Sequence, residues 1–275
     1  MADMRAVPIF DCLEIDGLLG ANLMSKAVWQ IDFPNSVIRM ANELDKLQVD
    51  TSIVLAFQEK ATRTPSLSLT VGTQAISGIS LDYGSVNGLT LPKSDLDSSQ
   101  LDQSPIYSVG SSGIGIFGAQ SDTIQYLPFS VQEFKEERIF TRLRSSNRRL
   151  LGTQILKHFR TTIDWSEGRI YLEHLSDAWQ VYSSFGFSFE IMGEHLGINL
   201  VYHPSPAAKG GLAVGQQIVK INGVSVSASD YCSLAQELKD LDRISMDYMD
   251  KGQVRSVELV RRPLFSDSEK TLMAH

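Results

Sequence analysis

The feature that most limits how this chain can fold is a duplication. Residues 16–40 read DGLLGANLMSKAVWQIDFPNSVIRM, and residues 148–172 read RRLLGTQILKHFRTTIDWSEGRIYL. The two align without a gap at a constant offset of 132 positions. Leu18/Leu150, Leu19/Leu151, Gly20/Gly152, Ile31/Ile163, Asp32/Asp164 and Ile38/Ile170 are identical. Leu23/Ile155, Met24/Leu156, Phe33/Trp165 and Met40/Leu172 are conservative pairs. Each copy reads as a strand, a Gly, one short helix and a β-hairpin, with turns at Pro34-Asn35 and Glu167-Gly168. A lone Leu-Leu-Gly carries no information, but two copies with one downstream pattern are duplicated structural units. Their wide separation excludes a solenoid of short repeats and predicts two similar lobes, each of roughly 100 residues or more.

Between the copies lies a second informative stretch, Ser77 to Leu91, read SGISLDYGSVNGLTL. Apolar residues lead in (Ile76, Ile79, Leu81), an acid stands at the mouth of a Gly turn (Asp82-Tyr83-Gly84-Ser85), and Leu89 and Leu91 lead away. A carboxylate at the end of a buried strand is a costly place for a charge. Asp and Gly are also ordinary turn formers, so the same residues fit a plain surface β-turn.

Composition narrows the partners. Hydrophobic residues make up 43% of the 275 positions and charged ones 21%, the balance of a globular chain with room for real cores. The net charge is −7 and no basic stripe occurs, which argues against nucleic acid. Cys12 and Cys232 lie far apart with no metal-ligand pattern around them, and two cysteines are too few for a disulfide scaffold. No apolar run approaches the roughly 18 residues needed to cross a membrane, and residues 1–20 lack the regions of a signal peptide. Neither HExxH, a Cys/His cluster, a G-x-S-x-G elbow nor a P-loop Lys is present, so no metal, cofactor, serine-hydrolase or nucleotide site is expected. Gly113-Ile-Gly115-Ile-Phe-Gly118 matches GxGxxG formally, but Pro128 follows where a helix would be needed.

An Asp-x-Gly turn after an apolar strand, followed by a hydrophobic-hydrophobic-Gly segment and a helix, resembles the pepsin-like and retropepsin-like aspartic protease family. The Leu150-Leu151-Gly152 run and its Ile163-Asp164-Trp165…Ile170-Tyr171-Leu172 tail are similar to bacterial members with two such lobes. The resemblance covers about Leu67 to Glu173, plus Asp16 to Met40. It implies that Asp82 is one of two carboxylates that share a proton, that Gly84 permits the turn, and that Ser85 steadies the outer carboxylate oxygen. It also implies that a Gly-rich hairpin, here residues 104–119, closes over substrate, although a plain hairpin reads the same way.

Two departures bear on activity: Tyr83 stands where the family has Thr or Ser, and the second Asp is absent. Asp16 is not it, because its counterpart is Arg148. The counterpart of Asp82 would lie about 50 residues ahead of Met1, so the first lobe is expected to begin upstream. The second acid would then come from that upstream lobe or from a homodimer.

From Ala178 onward the pattern changes. Phe185-Gly186-Phe187-Ser188-Phe189 and Gly197 to Tyr202 alternate like strands. Pro206-Ala-Ala-Lys-Gly-Gly-Leu212 and Ile218-Val-Lys-Ile-Asn-Gly223 follow, and a helix is predicted over Asp230 to Leu241 with Ser229 as its N-cap. Residues 184 to about 263 resemble a PDZ domain of the bacterial protease-associated type. That resemblance implies that Phe185, Gly186 and Phe187 form a loop whose N–H groups hold a peptide C-terminus, and that Tyr231, Leu234 and Leu238 line the groove. Core packing accounts for the same aromatics and leucines equally well.

The expected architecture is mainly β. Residues 1–50 are the end of a first acid-protease-like lobe, 51–177 a complete lobe, 178–265 a small α+β PDZ domain and 266–275 a tail. The expected function is hydrolysis of peptide bonds in peptide or protein substrates through an Asp pair, or a catalytically inactive peptide-binding scaffold of the same fold. Bacterial PDZ-bearing members of the family are commonly exported, so the resemblance implies the cell envelope or periplasm.

Overall fold

The structure, a computed structural model, describes Cys12 and residues 19–85, 87–101, 106–110, 122–175 and 183–264. In chain order the first strands are β1 (Val28–Asp32), β2 (Val37–Ala41), β3 (Ile53–Ala56), β4 (Gln58–Glu59), β5 (Pro65–Val71), β6 (Gln74–Asp82), β7 (Leu89–Pro92) and β8 (Ile106–Gly110). Next come β9 (Asp122–Val131), β10 (Phe134–Arg144), β11 (Leu150–Gly152), β12 (Phe159–Asp164), β13 (Arg169–His174), β14 (Ser183–Ser184) and β15 (Phe187–Met192). The last are β16 (His195–His203), β17 (Gln217–Ile221), β18 (Val224–Ser225), β19 (Arg243–Asp250), β20 (Gln253–Val260) and β21 (Arg262–Pro263). Among the described residues short helices interrupt them: α1 (Ala21–Met24), α2 (Thr153–Leu156), α3 (Pro206–Lys209) and α4 (Tyr231–Asp240). The described residues fall into two compact units, one within 18–105 and 123–180, the other within 1–17, 106–122 and 181–275.

In the first unit the two repeat copies fold alike. A one-turn helix, α1 or α2, follows each Gly, and a hairpin, β1–β2 or β12–β13, follows each helix. The hairpins turn through left-handed residues at equivalent positions, Ser36 at φ 53° and Gly168 at φ 61°. Their identical acids hold these turns. Asp32 Oδ1 accepts from the Asn35 backbone N–H at 3.2 Å, and Asp164 Oδ1 accepts from the Ser166 N–H at 2.9 Å and hydroxyl at 2.6 Å.

The copies then pair with each other. One sheet runs β2-β1-β12-β13-β3, with β1 antiparallel to β12. Gln30 faces Thr162, its own counterpart in the repeat, while Trp29↔Ile163 and Ile31↔Thr161 exchange under the same offset. The duplication therefore has a local pseudo-twofold axis at Gln30/Thr162, where Gln30 Nε2 donates to Thr162 Oγ1 at 3.0 Å inside the buried sheet.

The rest of this unit is a closed barrel. Its ring is β5–β6 antiparallel, β6–β11 parallel, β11–β7 antiparallel, β7–β10 parallel, β10–β9 antiparallel and β9–β5 antiparallel. Alternation fills it: Leu67, Leu69 and Val71 of β5 point inward and meet Ile79, Leu89, Leu91, Ile139, Leu143 and Leu151, all buried. Each such side chain contributes about 2 kcal/mol of transfer free energy, so the ring closes around its own core. Closure also removes free strand edges from the ring.

The second unit packs β15, β16, β17, β19 and β20 antiparallel around Leu196, Ile198, Leu212, Ile218, Leu234, Ile244 and Leu259. Ser205 caps α3, its hydroxyl accepting from the Ala208 N–H at 3.1 Å, with Pro206 in the first turn. Ser229 does not cap the long helix, whose N-cap is Asp230. Ser227 caps the 3₁₀ turn (Ala228–Asp230) that leads into α4, and its N–H and hydroxyl both donate to Asp230 Oδ2, at 2.7 and 2.9 Å. Of the hairpin expected over 104–119, residues 106–110 are described. They form β8, which pairs antiparallel with β16 (Tyr202↔Ser108, His203↔Tyr107). Cys12 and Cys232 form a disulfide, a pairing that their spacing alone did not predict.

Candidate functional site

Asp82 is the last residue of β6, and the chain reverses over residues 83–88 before entering β7. Between these two strands runs β11, parallel to β6 (Leu150↔Ser80, Leu151↔Leu81, Gly152↔Asp82) and antiparallel to β7 (Leu150↔Thr90, Leu151↔Leu89). The Leu-Leu-Gly segment therefore threads the loop that carries the acid. The loop is bonded to it: Gly152 N–H donates to Gly88 O at 2.8 Å, Thr153 N–H to Ser85 O at 2.7 Å and Gln154 N–H to Asn87 O at 3.3 Å. Threading this close demands Gly at 152. A Cβ there would lie 2.2 Å from Asn87 O and 2.8 Å from Ser85 O.

Asp82 itself is half-buried. Its Oδ1 accepts from the Gly84 N–H at 2.9 Å, and its backbone oxygen accepts from the Ser85 N–H at 3.1 Å. The bond from Gly84 orients the carboxyl plane, and a Cβ at Gly84 would press on that same Oδ1 at 3.3 Å. Ser85 engages through its backbone: its carbonyl accepts from both the N–H and the hydroxyl of Thr153, each at 2.7 Å. Thr153 is the site residue that sequence reasoning missed, and its only signal was its place directly after Leu-Leu-Gly.

Tyr83 turns inward. Its ring stacks on Phe33 of the first repeat copy (centroids 5.8 Å apart, planes 15° apart), and its hydroxyl is buried. Burial pushes the phenol well above the ordinary tyrosine range, and the Thr161 side chain offsets only part of that. Farther along β11's approach, Arg149 Nε and Nη2 bind both oxygens of Asp95 at 2.5 and 2.6 Å, while its carbonyl accepts from Ser80 N–H at 3.0 Å. That clamp fixes where the threading strand enters. Among the described residues no group of three His, Cys, Asp or Glu side chains could hold a metal.

The PDZ residues divide into two sets. Phe185, Leu234 and Leu238 are core, and Arg261 lies over the Phe185 ring at 5.1 Å. Gly186 is left-handed (φ 91°), and a Cβ on it would lie 2.2 Å from Ser205 Cβ. Its N–H donates to Ser184 Oγ at 3.0 Å, and its carbonyl accepts from the Tyr202 N–H at 2.9 Å. Phe187 and Tyr231 are half-buried beside Phe189, which meets Tyr231 edge to face at 5.6 Å. Burial, with Glu190 nearby, raises the Tyr231 phenol. Among the described residues β15 pairs with β16 alone, so its other edge has no strand partner there.

Residues 197–241 match the PDZ domain family. PDZ domains bind peptides. No curated protein matches the chain. Among solved structures the chain is similar to a retropepsin-like aspartic protease from Rickettsia conorii, at 16% identity and a TM-score of 0.32, over 46% of this chain and 96% of that one. It is also similar to the HtrA-type protease AlgW with decapeptide, at 13% identity and a TM-score of 0.27, over 79% and 81%. A third likeness is to an aminopeptidase N family protein from Idiomarina loihiensis, at 18% identity and a TM-score of 0.26, over 32% of this chain and 15% of that one. The fold is mainly β, a closed barrel with its attached sheet in one unit and, in the other, a small α+β domain whose residues 197–241 match the PDZ family.

Proposed function

We propose that this chain belongs to an aspartic-type peptidase in which Asp82 is one of two proton-sharing carboxylates. Two carboxylates held face to face cannot both ionise at close range, so they share a proton. One then acts as base on a water while the other donates to the scissile carbonyl. The observation that carries the reading is the threaded turn: Gly152 pairs beside Asp82 while the Gly84 N–H orients Oδ1. Nothing in a plain surface turn requires a third strand to pass between the two strands it joins. In this reading the second acid comes from another lobe. The PDZ domain docks peptide C-termini along the open edge of β15, with Phe187 and Tyr231 as the apolar contacts.

Tyr83 supports a second reading, an inactive peptide-binding scaffold. A Thr or Ser hydroxyl at this position would be free to bond across to the opposite lobe, whereas the Tyr83 ring is stacked on Phe33. The deciding measurement is peptidase activity of the full-length polypeptide at acidic pH against its Asp82→Asn variant. Loss of activity in the variant supports the enzyme, equal activity excludes Asp82, and no activity in either supports the scaffold.

A further inference from the structure

The paired positions 33 and 165 are aromatic in both repeat copies, and each ring grips a segment outside its own hairpin. In the second copy Trp165 meets Phe57 edge to face, with centroids 6.2 Å apart, and its Nε1–H donates to Arg63 O at 3.1 Å. It thereby holds the bend between β4 and β5. In the first copy the equivalent ring, Phe33, stacks on Tyr83 instead. The turn that presents Phe33 is itself fixed. Asn35 Nδ2 donates to both oxygens of Asp32, at 2.9 and 3.1 Å, and Ser36 N–H donates to Phe33 O at 3.0 Å. Tyr83 also reaches the second copy, because its buried hydroxyl faces Thr161 of β12, itself 0% exposed and paired with Ile31 of β1. One side chain next to Asp82 therefore touches both copies.

We propose that Tyr83 is a positioning residue for Asp82: keyed between Phe33 and Thr161, its ring passes the rigidity of the repeat sheet to the turn that carries the acid. The backbone makes the link short. Tyr83 stands between the carboxylate and the Gly84 N–H that orients its Oδ1, so any swing of residue 83 changes that bond. A Thr or Ser here has no ring to lay on Phe33. The departure from the aspartic-protease pattern is thus a change of anchor, from a hydroxyl to a stacked ring, and the anchor lies within this chain. The catalytic use of this clamp rests on the peptidase reading above, but its geometry does not.

The test reads local opening and turnover separately. In this chain, amide exchange of Gly84 and Ser85, followed by NMR, is expected to quicken about fivefold in Phe33→Leu and in Tyr83→Leu. Combining the two should add nothing, because each removes the same stack. Tyr83→Phe keeps the ring and should stay within about twofold of wild type. Exchange over residues 169–174 should not change, which separates a loosened turn from a destabilised chain. In the full-length polypeptide Phe33→Leu is expected to lower kcat about tenfold with KM unchanged, and Tyr83→Phe to retain kcat. Wild-type exchange in Phe33→Leu, additive effects in the double variant, quickening that spreads to 169–174, or an unchanged kcat in Phe33→Leu overturns the proposal. A full-length wild type without peptidase activity overturns the catalytic reading instead, and the exchange measurements then decide the clamp alone.

Discussion

Replacing Gly152 by Ala tests whether the threaded turn is as tight as its geometry demands. The backbone there is extended (φ −104°, ψ −179°), so the conformation suits alanine and the cost is steric alone. The new methyl carbon would sit 2.2 Å from Asn87 O and 2.8 Å from Ser85 O, two backbone oxygens that cannot swing aside like a side-chain end. Overpacking costs about 1–3 kcal/mol. Relieving it means separating the loop from β11, which also loosens the bonds to Gly88, Ser85 and Asn87, each worth about 1 kcal/mol. The expected loss is therefore roughly 3–5 kcal/mol, a drop in melting temperature on the order of 10 °C. Circular dichroism melts and urea titrations measure it. The repeat supplies the control. Gly20 is the counterpart of Gly152, and a Cβ there would meet only the Asn22 side-chain oxygen at 2.7 Å, which can rotate away. Gly20→Ala in this chain should lie within about 1 kcal/mol of wild type. A Gly152→Ala variant as stable as wild type, or a Gly20→Ala variant equally damaged, would refute the threading argument.

Three further changes probe the neighbouring groups. The Tyr83 phenol has a raised folded pKa, so its contribution is fully present below the unfolded value near 10 and is lost as pH climbs past it; Tyr83→Phe should flatten the fall in stability above about pH 10, read by urea titration across alkaline pH. Arg149→Met leaves Asp95 partly buried without its partner and should cost about 1–2 kcal/mol, the pair being partly solvent-screened; adding Asp95→Asn should restore most of that in a double-mutant cycle. Gly186→Ala forces a methyl against Ser205 at a left-handed backbone position and should destabilise the PDZ domain by about 2 kcal/mol or more. In fluorescence anisotropy the wild-type chain should prefer a peptide with a free C-terminus to its amidated form, and equal binding would remove the proposed docking role.

Much of the unit that carries Asp82 was legible because its information is local or duplicated. Two matching tails define a repeated strand, helix and hairpin without any structure, and an Asp-x-Gly turn beside apolar strands marks one chemical position. What the sequence could not carry was environment. Leu234 and Leu238 have helical spacing toward one face, but spacing alone does not say whether that face lines a groove or fills the core; they fill it. Ser229 is a good cap by type, but it lies inside the 3₁₀ turn Ala228–Asp230, so Asp230 becomes the N-cap of α4. The pairing of β8 with β16, and of Cys12 with Cys232, joins residues far apart in the chain with no periodic signal at either end.

The acids that the duplication repeats and the acid that it does not repeat differ in what holds them. Asp32 and Asp164 are 2% exposed, and each has its Oδ1 bonded to the backbone of its own hairpin turn, which is why both copies need them. Identity across the repeat thus marks the parts that make the sheet and its axis. Asp82 makes no hairpin. Its strand is followed by a loop held by bonds to the threading segment and by the Tyr83–Phe33 stack, and the side chain stays half-buried with one oxygen oriented by Gly84. A fixed carboxyl plane of this kind is what the proposed proton-sharing role requires of Asp82.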